Sequence, residues 1–274
     1  MRISRRSKLS LRAIAILYLT LLLLLPIGVV LVRTFEHGLG TAWNWMTTPA
    51  AISALTLSVV IALIAVPLNT VFGIGTAMVL VRGRGNKWAK SVLDTLIDLP
   101  FVVSPVIVGL ALILVYGKDG WFGNWLIGHG ITLIYNPAGM VIATVFVSLP
   151  FVVREVAPVL IEIGDEQEQA ASTLGASSWQ AFRRVTLPSI RWGVAYGVVL
   201  TTARALGEIG AVAVVSSNVP GSTLTLPLLV QQRDQDLGTS SITGAYAAAT
   251  ELAVMSLIVL LALTLLGPRR QEAR

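Results

Sequence analysis

Cysteine is absent from the 274 residues, which excludes disulfides, thiolate catalysis and cysteine-ligated metals. Histidine occurs only as His37 and His129, too few for a multi-histidine metal site. Charge is also scarce: 12% of residues are Asp, Glu, Lys or Arg, while 55% are hydrophobic and the mean hydropathy is +0.79. Soluble domains carry roughly 25% charged residues, so this deficit places the chain in a membrane. A phosphate-cradling loop is missing too. Gly83-Arg84-Gly85-Asn86-Lys87 is glycine-rich but lacks the G-x-x-x-x-G-K-[ST] spacing. If this chain depends on ATP, another chain hydrolyses it. The net charge of +6 forms no groove-like patch and flanks apolar segments instead, so nucleic acid is not an expected partner.

What is present is a series of apolar runs. A bilayer core of about 30 Å needs about 20 such residues in a helix. Six segments qualify: Ala13 to Val32, about Ile52 to Val81, about Val92 to Tyr116, about Pro137 to Val153, about Ile190 to Val215, and about Ile242 to Leu266. Pro67 interrupts the second, and Pro100 and Pro105 the third. The expected fold class is all-α, a polytopic bundle of six transmembrane helices.

Lysine and arginine resist translocation, so their distribution orients the bundle. Sixteen lie on the side of the termini and of the loops after segments two and four. Only Arg33, Lys118 and Arg233 lie opposite, and Arg204 falls inside segment five. Both termini are therefore expected in the cytoplasm of a prokaryote, with the chain in its inner membrane. The first segment is longer than a signal-peptide core, and no A-x-A-like site follows, so it is expected to remain as an anchor. Trp121-Phe122-Gly123-Asn124-Trp125 has the character of an interfacial aromatic belt. No internal repeat of the kind found in many secondary transporters is visible.

The longest polar segment on the cytoplasmic side runs from Glu162 to Pro188 and reads as two short helices. Gln167, Ala171 and Leu174 share a face of the first, and Trp179, Phe182 and Val185 stripe the second. Gly175 sits between them, where a sharp turn is easily made, and Pro188 suits the first turn of the fifth helix. Such a hairpin either transmits force from a docked partner or packs on itself at the membrane surface. Pattern alone leaves both open.

The residues of this hairpin resemble a known loop. Gln169-Ala170-Ala171-Ser172-Thr173-Leu174-Gly175, followed by Val185-Thr186-Leu187-Pro188, is similar to the EAA loop of ABC-importer permeases of the binding-protein-dependent, MetI-like type. The spacing agrees throughout. Gln169 stands where the family has glutamate, and Glu168 lies one position earlier. The resemblance implies a coupling hairpin docked on an ATPase subunit, with Ala170, Ala171 and Gly175 permitting close approach and Trp179 and Phe182 as apolar anchors. It also implies a domain organisation: a peripheral first helix and outer loop in 1–50, a permease core in 51–267 with its coupling loop at 162–188, and a short tail at 268–274.

Two further stretches, Phe146 to Glu155 and Ala203-Arg204-Ala205-Leu206-Gly207-Glu208-Ile209-Gly210-Ala211-Val212 leading to Val219 to Pro227, resemble the sulfate/thiosulfate importer permeases, the W-type more than the T-type. Molybdate permeases share the second stretch. That resemblance implies a heterodimer with a T-type permease, two ATPase subunits that bind ATP and Mg, and an external sulfate-binding protein. This chain itself would hold no cofactor and catalyse nothing.

Ionisable groups within a span are costly and mark either a path or a partner. Arg204 and Glu208 are four apart and meet on one helix face. Glu251 on the sixth segment reaches a comparable height, so a contact with Arg204 is geometrically possible. These three either ease an anion across or form an internal pair that fixes packing. Asp94 and Asp98, near the start of the third segment, suit the helix dipole. An ion-coupled secondary transporter is the competing class, and would need no ATPase.

Overall fold

In hydrocarbon an apolar run can satisfy its own backbone only as a helix or within a closed barrel, and the computed structural model is helical through these runs except at breaks in the third and fifth. It describes residues 5–83, 85–236 and 238–266, and no strand occurs among them. The expected tail at 268–274, together with Arg2 and Arg84, lies outside the described residues.

Near the N-terminus, α1 (Arg5–Leu19), a π-helical turn (Thr20–Leu24) and α2 (Leu25–Phe35) run on without a break. Then follow α3 (Leu39–Met46), α4 (Pro49–Arg82), α5 (Lys87–Val102), α6 (Pro105–Tyr116), α7 (Gly123–Gly128) and α8 (Pro137–Ile163). The second half contains α9 (Glu166–Thr173), α10 (Ser178–Ala181), a π-helical turn (Phe182–Thr186), α11 (Leu187–Leu206), α12 (Gly210–Val215), α13 (Leu226–Gln235) and α14 (Thr239–Leu266). Local chemistry sets several of the starts. Thr48 accepts a hydrogen bond from the Ala51 amide ahead of α4, and Asn136 accepts one from the Ala138 amide ahead of α8. Proline occupies the first turn of both, where no amide is missed.

Among the described residues, four helical stretches are long and apolar enough to cross a membrane: Ile14–Phe35, Pro49–Arg82, Pro137–Ile163 and Ser241–Ala262. The expected third span is instead a pair, α5 and α6, bent by 111°. Pro105 opens α6 and turns the preceding residue away from helical geometry, whereas Pro67 and Pro100 lie inside helices. The expected fifth span, 190–215, is also not one helix. It stops at Leu206 and restarts at Gly210, so Glu208 lies in the break and not on the helix that carries Arg204. The fourth runs ten residues past the expected Val153, to Ile163.

The core is organised around α8, which α4 and α11 flank. Val152, Val153, Val156 and Leu160 of α8 are fully buried. Contact is close because the neighbours supply glycine. A methyl group on Gly73 of α4 would lie 2.6 Å from Val152 Cβ, and one on Gly197 of α11 would lie 2.9 Å from Val152 Cα. In lipid, helices associate through such packing because no hydrophobic driving force separates them from the solvent. Toward the other end of α8, Met140, Ala143 and Val147 pack with Val212, Val215, Leu224 and Leu226. The helix formed by α1 and α2 stays largely outside this core, and Thr34 joins it to α14 through a 2.7 Å hydroxyl contact with Thr250.

Arg233, expected on the outer side between the fifth and sixth segments, is buried at the end opposite Arg82. It donates to Gly244 O at 3.0 Å and Thr48 Oγ1 at 2.8 Å, and it lies over the Trp45 ring at 5.0 Å. Burial lowers its pKa from the ordinary arginine value, and the charge of Glu251 opposes that shift. Enlarging the glycine contact should damage the core. Gly197→Val is expected to cost about 1–3 kcal/mol through overpacking, seen as a lower thermal midpoint of the purified protein, while the same change at the open Gly75 should leave that midpoint in place.

Candidate functional site

The segment between α8 and α11 is a hairpin, and its two arms are built differently. Gly164 ends α8 at φ +63, a conformation that L side chains rarely adopt, and the chain turns into α9. Gly175 at φ +84 then reverses direction. Ser177 starts the second arm with a capping box, accepting from the Gln180 amide while Gln180 Oε1 accepts from the Ser177 amide. From Ser178 the helix runs through the π-helical turn directly into α11, so the second arm is an extension of the membrane helix.

Gln169, Ala170, Gly175 and Pro188 are exposed, and Ala171 and Phe182 half-buried. Leu174 and Trp179 project at 89% and 66% exposure on an otherwise polar surface. Trp179 and Phe182 stack with ring centroids 5.5 Å apart. Nothing lies within 4 Å of a methyl group placed on Gly175, so in the isolated chain its glycine serves the turn.

Three residues meet at the foot of the hairpin. Arg82, the last residue of α4, brings Nε to 3.2 Å from Glu168 Oε2 and also donates to Gly164 O. Glu168 Oε1 accepts from Thr186 Oγ1 at 2.8 Å. Sequence reasoning missed this cluster, although Glu168 beside Gln169 was the available signal.

The intramembrane charges differ from the expected trio. Arg204 Nη2 approaches Glu208 Oε2 to 2.6 Å, an ionic contact without hydrogen-bond alignment. Glu208 Oε1 accepts from the Ala211 amide, so this carboxylate also closes the first turn of α12 across the break. Its side chain is 1% exposed and that of Arg204 30%. No ion pair joins Arg204 to Glu251 among the described residues. Glu251 has one carboxylate oxygen without a hydrogen-bond partner, and the cation whose field reaches it is Arg233. Asp94 and Asp98 also do more than suit a helix dipole, since both pair with Arg154 of α8 and tie it to α5.

Residues 69–272 match the model of the binding-protein-dependent transport system inner membrane components. This chain belongs to that family. Among its relatives, the CysW sulfate transport system permease protein of Synechocystis sp. is 50% identical over 247 residues, 90% of this chain and 89% of that protein. The CysT sulfate transport system permease protein of the same organism is 38% identical over 250 residues, covering 90% and 87%. Among solved structures, a bacterial ABC transporter involved in importing the polysaccharide alginate superimposes with a TM-score of 0.79 at 17% identity, covering 98% of each chain. That likeness shows the fold, that of a type I ABC importer transmembrane domain. The family and the permease relatives make the chain a multi-pass inner membrane protein.

The Arg204–Glu208 pair in this permease yields a stability prediction. Arg204→Ala strands a buried carboxylate and should cost about 3 kcal/mol or more, whereas the double variant Arg204→Ala/Glu208→Ala should recover part of that loss. Thermal unfolding of the purified single and double variants measures both.

Proposed function

We propose that this chain is the W-type permease subunit of an ATP-binding-cassette importer, carrying sulfate or thiosulfate across the inner membrane. The observation that carries the reading is the exposed hairpin. Leu174 and Trp179 stand in solvent on a hairpin whose first helix buries no residue, and apolar surface of this kind calls for a partner. The anion is inferred from the relatives, since identity to the CysW protein exceeds that to the CysT protein over a similar length.

On this reading the hairpin is the coupling element. Trp179 and Phe182 would enter a cleft of an ATPase subunit, with Ala170, Ala171 and Gly175 permitting close approach, Gln169 opening the docked motif, and Pro188 starting the membrane helix behind them. ATP and Mg would be bound and consumed on two separate ATPase subunits, and this chain would hold no cofactor. The membrane part would be a heterodimer with a T-type permease, and an external binding protein would deliver the anion. ATP-driven closure of the ATPase dimer would draw the two hairpins together, and helices continuous with them would open an outward-facing cavity. Arg204 is assigned a packing role, because a cation paired to a carboxylate at 2.6 Å presents little field to a passing anion.

Reconstitution with both permeases and the ATPase in proteoliposomes tests this. A sulfate-loaded binding protein should stimulate ATP hydrolysis and uptake, and a molybdate-loaded one should not. Stimulation by molybdate alone would move the reading to a molybdate permease, and uptake without any ATPase would end it in favour of a secondary transporter. Trp179→Ala combined with Phe182→Ala should remove two anchors worth about 2 kcal/mol or more each and abolish co-purification of the ATPase.

A further inference from the structure

The first arm of the hairpin raises a physical problem. Helix α9 has eight residues, none of them buried, and its own helical stability in water is marginal at that length. At one end it follows Gly164, and at the other it meets Gly175, both with positive φ. An arm of this kind between two turns would move independently of the membrane helices, and a force applied to it would be lost.

We propose that Arg82, Glu168 and Thr186 form the joint that makes the two arms and the end of α4 one rigid body, and that this joint is required for coupling. The proposal rests on the coupling role given to the hairpin above. Glu168 is the central member. Its Oε1 accepts from Arg82 Nε at 3.4 Å and from the Thr186 hydroxyl at 2.8 Å, and its Oε2 lies 3.2 Å from the same Arg82 Nε. Arg82 reaches the arm a second time, at Gly164 O, so it spans the turn that would otherwise hinge. Thr186 is 1% exposed and closes the π-helical turn, the wide turn that leads into α11. The three residues thus connect α4, α9 and the start of α11. Arg82 and Glu168 retain 17% and 21% side-chain exposure, so the pair is shielded from bulk water without being fully desolvated. They are positioning residues: none of them is among the side chains that the exposed hairpin offers to a partner.

The test uses the assembled complex with its ATPase subunits and a sulfate-loaded binding protein. Arg82→Ala, Glu168→Gln and Thr186→Val are compared with the unaltered chain and with Arg82→Ala/Glu168→Ala. The ATPase should remain bound and its basal hydrolysis unchanged. Sulfate moved per ATP, and stimulation by the binding protein, should fall by roughly tenfold in Arg82→Ala and Glu168→Gln. The double variant should be no worse than the poorer single one, because both remove the same contact. Amide hydrogen exchange across residues 166–173 should speed up in the same variants, which a purely local packing role elsewhere would not produce. Thr186→Val and Glu168→Gln preserve side-chain size, and they decide the matter if Arg82→Ala fails to assemble. Wild-type coupling and wild-type exchange in those two variants would overturn the joint, as would loss of the ATPase itself, which would make these residues part of the docking surface. If the unaltered chain holds no ATPase, the coupling role itself fails, a result distinct from failure of the joint alone.

Discussion

Val152 sits between two glycines, Gly73 on α4 and Gly197 on α11, and the rest of the architecture depends on that approach. Three helices packed this closely leave no room for a side chain at either crossing. Interiors at such density have low compressibility and pass displacement onward. A movement of α11 must therefore carry α8 and α4 with it. The same α8 also packs against α12 and the segment leading to α13, so the two larger hydrophobic clusters share one helix.

The polar groups follow the same economy. Arg204 faces Glu208, Arg154 faces Asp94 and Asp98, and Arg233 meets a hydroxyl, a carbonyl and an indole face. Asn69 of α4 donates to Ser148 Oγ and Val145 O on α8. Each of these contacts joins a helix to a neighbour or bridges a break, where isolated charges or amides would be costly. The interactions that hold the permease together thus lie inside it, while the large apolar residues of the hairpin face outward. That division is what a lever needs: a stiff body and an adhesive end.

Much of this was legible in the sequence because membrane chemistry leaves few options. Twenty apolar residues must be helical, so four of the six expected spans were readable from length among the described residues, and Gly175 marked the reversal of the hairpin. Breaks were harder. Pro105 announced an interruption but not a 111° bend, and the stop at Leu206 was marked only by Gly207 and Gly210, a residue type that membrane helices also accept in their interior. Long-range pairs were illegible for a different reason. Arg82 lies 86 positions from Glu168 and Arg154 lies 56 from Asp98, and periodicity within a helix carries no information about which neighbour it meets. Arg233 read as a loop charge because its burial depends on Trp45 and Thr48, which are remote in sequence.

The central claim is that the hairpin moves as a rigid extension of α11 when the ATPase closes. Because the chain lacks cysteine, single cysteines can be placed for spin labels without background. Pulsed electron-resonance distances in the assembled complex should be measured before and after ATP trapping. One pair joins Thr173 to Tyr196 within this chain, and the other joins Thr173 to the hairpin of the second permease. The account predicts an unchanged distance within the chain and a shorter one between the hairpins. A changed distance within the chain, with the hairpins no closer, would contradict it.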